Sequence, residues 1–111
     1  MTRRLTSCAL LVMACMAAGG AVWAAPPAVK THTVIIEGTR FVPETLTVRR
    51  GERVVWLNKD PFPHTVTARG HGFDSRSIAA NASWRYVAQK SGTFDYVCTL
   101  HPTMTGTLVV K

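Results

Sequence analysis

Beyond its first 24 residues the chain has one cysteine, one methionine, no amphipathic helical stripe, no run of like charge and no internal repeat. Each lack removes a class. One thiol cannot close an internal disulfide, so the fold is not a cysteine framework. Without a helical stripe, helix bundles and alternating βα units are excluded. Without a basic run or a nucleic-acid motif, nucleic acid is not the partner. The longest apolar stretch, Leu5 to Ala18, falls short of the roughly 20 residues that span a bilayer. Stable membrane insertion is therefore not expected.

That stretch follows the basic head Thr2-Arg3-Arg4 and precedes Gly19-Gly20-Ala21-Val22-Trp23-Ala24-Ala25, rich in small residues. Basic head, apolar run and small residues make a secretory signal peptide. Val22 and Ala24 suit positions −3 and −1, which puts the cut after Ala24. A cut after Ala25 would place Trp23 at −3 and Pro26 at +1. A lipoprotein anchor at Cys15 is the lesser alternative, since Val12-Met13-Ala14-Cys15 is a poor lipobox. The expectation is a signal peptide at 1–24 and a single exported, periplasmic domain at 25–111, a monomer. Export changes the composition. Lys+Arg falls from 13 to 11 while Asp+Glu stays at 6, a net charge of +5. Its bland reading is solubility, its sharper one an acidic protein partner. Cys8 and Cys15 leave with the leader, and only Cys98 remains. An exposed thiol outside the cytoplasm invites oxidation, so Cys98 should be buried or metal-bound.

What is present is β-structure. Strands are expected at 33–37, 45–48, 53–58, 64–68, 83–87, 93–98 and 107–110, punctuated by Gly and Pro. The near-continuous apolar run Arg53–Asn58 suggests a strand buried on both faces. The segment 78–82 holds at most one irregular turn. In Phe94, Tyr96 and Cys98 the side chains share one face. Two of them are large aromatics, so that face is the core and Cys98 points inward at a strand end.

Cys98, His101 and Met104 then follow at even three-residue spacing. Thiolate, imidazole and thioether are soft, borderline and soft donors, a set that suits copper in both its common oxidation states. Blue-copper sites use two His and one Cys in a plane with a weak axial Met. His64 is the candidate for the remaining ligand. It opens an apolar segment after Asn58-Lys59-Asp60-Pro61-Phe62-Pro63, where two prolines hold the chain extended. Alone, Cys98 and Met104 would be core filler and His64 a satisfied imidazole; together they make a metal set. His32 is expected to be solvated, and His71, between two glycines, to be free of metal.

The chain beyond the leader resembles the cupredoxins, the small blue copper proteins. The loop Cys98–Met104 is similar to those of the amicyanin/plastocyanin-like group. Phe41-Val42-Pro43, Val48-Arg49-Arg50-Gly51-Glu52 and Val54–Asn58 resemble the family's framework. The resemblance implies an all-β, two-sheet Greek-key sandwich with one type 1 copper ion at one end, held by His64, Cys98, His101 and Met104. It implies a carrier of single electrons rather than an enzyme. Redox proteins, a donor dehydrogenase, c-type cytochrome or oxidase, would dock transiently near His101. Leu100, Pro102, Thr103, Pro61, Phe62 and Pro63 would form the uncharged patch around it. A protein that buffers or delivers copper is the alternative. Two departures from the family stand out. Thr65 replaces the Asn that ties the ligand loops together, and Leu100 stands where a Pro is common. Leu100 keeps its N–H, which is expected to point at the Cys98 sulfur beside that of Thr65.

Overall fold

The computed structural model describes residues 19–20 and 28–111. Apart from Gly19 and Gly20, the expected signal peptide, its cut after Ala24 and the alternative anchor at Cys15 lie outside the described residues. Eight strands follow: β1 (Thr31–Ile36), β2 (Phe41–Val42), β3 (Thr45–Val48), β4 (Arg53–Asn58), β5 (Thr67–Ala68), β6 (Ser83–Val87), β7 (Gly92–Cys98) and β8 (His101–Val110). They form two four-stranded sheets, ordered β2-β1-β4-β6 and β3-β8-β7-β5. In each, one pair is parallel, β1 with β4 and β3 with β8. Parallel neighbours cannot be joined by a hairpin. The chain therefore leaves the first sheet through β3 before returning as β4, and these crossings stack the sheets into an all-β sandwich.

Alternation drives the packing. Val34, Ile36, Val54 and Trp56 of the first sheet face Tyr96, Cys98, Met104, Leu108 and Val110 of the second in one apolar core. Trp56 Nε1–H donates to Tyr96 Oη at 3.2 Å, and the two rings meet edge to face with centroids 5.7 Å apart. Burial pushes the Tyr96 phenol up to about 12. Gly106 makes room for this ring: a Cβ there would sit 2.3 Å from Tyr96 Cζ.

β3, β4 and β6 fall on the expected residues, and β1 and β7 within two residues of them. β2 was not among the expected strands, and three further features differ. β4 is not buried on both faces: Val54, Trp56 and Asn58 are buried, whereas Arg53, Val55 and Leu57 are half-buried. Each sheet of a sandwich is covered on one face only, and flanking strands shield the other in part. The segment 64–68 joins the second sheet only at Thr67 and Ala68. Its start is bridged instead to 74–78, His64 to Ile78 and Thr67 to Asp74. β8 is much longer than 107–110, because its ladder with β7 runs on to the pair Cys98–His101 past an irregularity at Val97/Cys98. Among the described residues there is no helix, so none long and apolar enough to cross a membrane. Segment 78–82 makes a single turn closed by Ala82 N–H to Ala79 O at 3.0 Å.

Candidate metal centre

Three elements converge at one end of the sandwich. β7 delivers Cys98 as its last residue, fully buried. A two-residue turn, Thr99-Leu100, leads into β8, whose first residue is His101. Along β8, Met104, Gly106, Leu108 and Val110 alternate inward, so Met104 is buried at the same end. The loop after β4 brings His64, also fully buried.

The donor atoms meet. Cys98 Sγ lies 3.6 Å from His64 Nδ1 and 3.8 Å from His101 Nδ1, and one ligand atom from each of the three residues lies within 4.8 Å of the others. Take bonds of about 2.0 Å to nitrogen and about 2.3 Å to sulfur, the lengths zinc makes to these donors. Opened at about 120°, they separate sulfur and nitrogen by about 3.7 Å. The observed separations bracket that value, so the sulfur and each imidazole fit bonds to one shared metal ion. Among the described residues, this is the group of His, Cys, Asp and Glu side chains close enough to hold an ion.

His64 is clamped from behind. Its Nε2 lies 2.7 Å from Asp60 Oδ2, which leaves Nδ1 to face the sulfur. The Asp60 carboxylate accepts N–H bonds from Gly38 at 2.7 Å and Thr39 at 2.9 Å. Burial pushes its carboxyl up, but the bonds from Thr39, His64 and Gly38 outweigh this and hold it below its ordinary value. Gly38 and Thr39 are the middle of the β1–β2 hairpin, with φ of 62° and 55°. Positive φ at both positions is the type I′ signature, and it strains a β-branched Thr. Asp60 holds that turn. Asn58 shapes the loop between: its amide donates to Phe62 O and Ile78 O, and its Oδ1 accepts the Asp60 N–H. In the sequence, Asp60 is read only as part of the segment that leads to His64. A carboxylate four residues before a candidate ligand, in a loop punctuated by prolines, was the available signal, because metal-bound imidazoles usually give their other nitrogen to such a group.

The sulfur receives one backbone donor, Thr65 N–H at 3.3 Å, as expected. The second expected donor, Leu100, makes no such bond: its residue turns outward, 53% exposed. Thr65 does replace the missing Asn as the tie between loops. Its Oγ1 accepts Thr99 N–H at 2.9 Å and lies 3.1 Å from Thr99 Oγ1, with Thr67 Oγ1 donating from the other side. His32 is not solvated; its Nε2 lies 3.0 Å from Glu52 Oε1 at the other end of the sandwich. His71 is exposed and lies outside the metal group.

Around the half-buried His101, Pro61, Phe62, Pro63, Leu100, Pro102 and Thr103 are exposed. The Phe62 ring lies 5.6 Å from that of His101 and 5.1 Å from that of His64, centroid to centroid. The rim so formed carries no formal charge.

Comparison with known proteins agrees with this geometry. The cupredoxin-like domain family matches residues 6–110. Amicyanin-alpha of Methylorubrum extorquens is 31% identical over 77% of this chain and 75% of its own length. An amicyanin of Paracoccus versutus is matched over 61% of its length. A Cu(I) form of an amicyanin mutant superposes with a TM-score of 0.67 at 28% identity, over 79% of this chain and 86% of that one. A copper-containing nitrite reductase from Thermus scotoductus gives 0.69 at 25% identity, but this chain covers only 23% of it. His64, Cys98, His101 and Met104 form a potential site for one type 1 copper ion. The chain belongs to the cupredoxins, and among them it is similar to amicyanin.

Proposed function

We propose that residues 25–111, exported to the periplasm after loss of a signal peptide at 1–24, act as a type 1 copper carrier of single electrons. His64, Cys98, His101 and Met104 are the residues that would hold the ion. The observation that carries this reading is the triangle of Cys98 Sγ with two imidazole Nδ1 atoms at 3.6 and 3.8 Å. Copper held there would cycle between its two common oxidation states, taking up and giving out one electron.

The chain's own residues make that exchange easy. Asp60 fixes His64, and Thr65 locks the two ligand loops together, so the donor set needs little rearrangement between states. Thr65 N–H stabilises negative charge on the sulfur, weakens its donation to the oxidised metal and raises the potential. Buried Met104 would supply a weak thioether donor that tunes it further. His101, half-buried within an uncharged rim, is the path for the electron. Partners are redox proteins, a donor dehydrogenase, c-type cytochrome or oxidase, that touch this rim briefly, as small interfaces allow. The protein works as a monomer and is not itself an enzyme.

The test is the visible spectrum of the copper-loaded protein together with a chelator challenge. An intense orange-red band, with copper retained in both oxidation states, supports the carrier. A colourless Cu(I) protein that surrenders its metal to chelators would make it a protein that buffers or delivers copper.

A further inference from the structure

We propose that the end of the sandwich opposite the metal centre is a docking surface for an anionic lipid membrane. It would seat the molecule with His101 facing away from the bilayer. Strands β1 and β4 run from this far end toward the metal, in register from Thr31–Arg53 to Ile36–Asn58. β8 runs the other way and pairs Val110 with Gly92 there. Backbone bonds tie the end together: Arg53 N–H to Lys30 O at 2.9 Å, Arg50 N–H to Lys111 O at 2.9 Å and Gly51 N–H to Ala88 O at 2.6 Å.

The charge distribution is lopsided. Lys30, Arg49, Arg50, Arg53, Lys90 and Lys111 gather at this end, and Glu52 is the one acidic side chain among them. Counted on side chains, that is the whole net charge of +5 expected for residues 25–111. The other five cations and five carboxylates cancel over the rest of the domain. All the clustered cations are exposed except Arg53, which is half-buried. The fold collects them from four separate segments: 30, 49–53, 90 and 111.

The shape of the cluster favours a plane over a small anion. A groove of about 280 Å³ lies between Lys30, Arg49 and Lys111, but Glu52 also lines it. A small anion bound there would meet that carboxylate. It is held below its ordinary value by the Arg49 N–H, then by His32, and so is charged. A broad anionic surface instead meets the whole ring of cations at once. The position of the N-terminal segment favours lipid over an acidic protein. Residues 28–30 lead into β1 at this same end, so the segment that carries the apolar run Leu5–Ala18 departs from the cationic face. Until that segment is cut, it holds this face nearest the lipid. The uncharged rim at His101 is then left free.

The experiment uses the exported protein made from the full chain, with vesicles of phosphatidylcholine alone or with roughly one quarter phosphatidylglycerol. Binding is expected only to the anionic vesicles. It should be strong at about 0.01 M salt, where the Debye length is about 30 Å, and weaker at about 0.15 M, where it is about 8 Å. The double variant Arg50→Glu/Lys90→Glu should lose about tenfold or more in affinity. Arg40→Glu/Lys59→Glu makes the same change in net charge at the metal end, beside Ile36, and should lose about threefold or less. Equal losses would reduce the effect to net charge and overturn the proposal. Equal binding to neutral vesicles would show that charge does not carry the contact and would overturn the proposal. Binding to polyglutamate with none to anionic vesicles would give the surface to an acidic protein. None of these results depends on the metal site.

Discussion

His64 and His101 reach the same sulfur, at 3.6 and 3.8 Å, from loops built in different ways. His64 is fully buried, its far nitrogen clamped by a carboxylate that is itself held by two backbone N–H groups. Behind it Asn58 makes three bonds within the loop region. His101 is half-buried on a two-residue turn, and the hydrogen-bond contact of its ring is with Cys98 alone among the described residues. One imidazole is positioned by the fold before metal arrives; the other is positioned by the turn and faces outward. The difference separates two tasks: the clamped side sets geometry, and the open side meets the partner.

Removing the atom that both sides share has the largest effect. Cys98→Ser should abolish the orange-red band entirely, because a hydroxyl cannot replace the thiolate donor. A retained band in the copper-loaded variant would mean that the sulfur is not a ligand. Next comes the clamp. Asp60→Ala strips His64 of its partner and leaves the Gly38 and Thr39 N–H groups without their acceptor. The metal-free protein should lose about 3 kcal/mol, or roughly 10–20 °C in melting temperature. His101 has no counterpart to remove, so this asymmetry is the test. A melting temperature within a degree or two of the parent would put both imidazoles on the same footing.

These contacts were legible to different degrees. The alternation Phe94-Tyr96-Cys98 was enough to point the thiol inward, because strand period is local information. Thr65 stands in the sequence only as a departure from the Asn that usually ties the loops; in the fold its hydroxyl makes that tie through Thr99. Asp60 has a local signal in its place four residues before His64, but its hold on the turn 21 and 22 residues earlier spans a distance no local pattern encodes. The pair His32–Glu52 was hidden for the same reason, bridging 20 residues. The length of β8 was misjudged because Pro102 and Thr103 read as loop; only the register with β7 shows them inside a ladder. Leu100 was assigned an inward amide by analogy with the position of a proline. The turn points that residue outward instead.

The tie between the loops sharpens the comparison at a smaller scale. Thr65→Val leaves the Thr99 N–H without its acceptor and should cost about 1–2 kcal/mol, whereas Thr65→Ser keeps the oxygen and should recover most of it. Equal melting temperatures for the two variants would mean that the methyl group, not the hydroxyl, matters. Met104→Leu tests the axial position. As a nearly volume-conserving change it should cost about 1 kcal/mol or less. It should keep the colour and raise the potential, since a weak donor to the oxidised metal is lost. If spectrum and potential both stay the same, Met104 is core filler.

The smallest change belongs to the open side. Leu100 is 53% exposed on the turn before His101. Its side chain adds little to the core and its amide does not reach the sulfur. Leu100→Ala should therefore leave melting temperature, spectrum and potential unchanged. What it removes is part of the uncharged rim over His101. If electrons pass there, two copies of the protein exchange them rim to rim. The self-exchange rate, read from proton NMR line widths in mixtures of oxidised and reduced protein, should fall. Val87→Ala is the matched control. It trims another exposed apolar side chain, 39% accessible, on β6, where the strand ends away from the metal. Its self-exchange rate should match that of the parent. A drop shared by both variants would reflect general surface loss. No drop in either would show that the electron leaves by some route other than the His101 rim, and the division between a clamped side and an open side would lose its functional meaning.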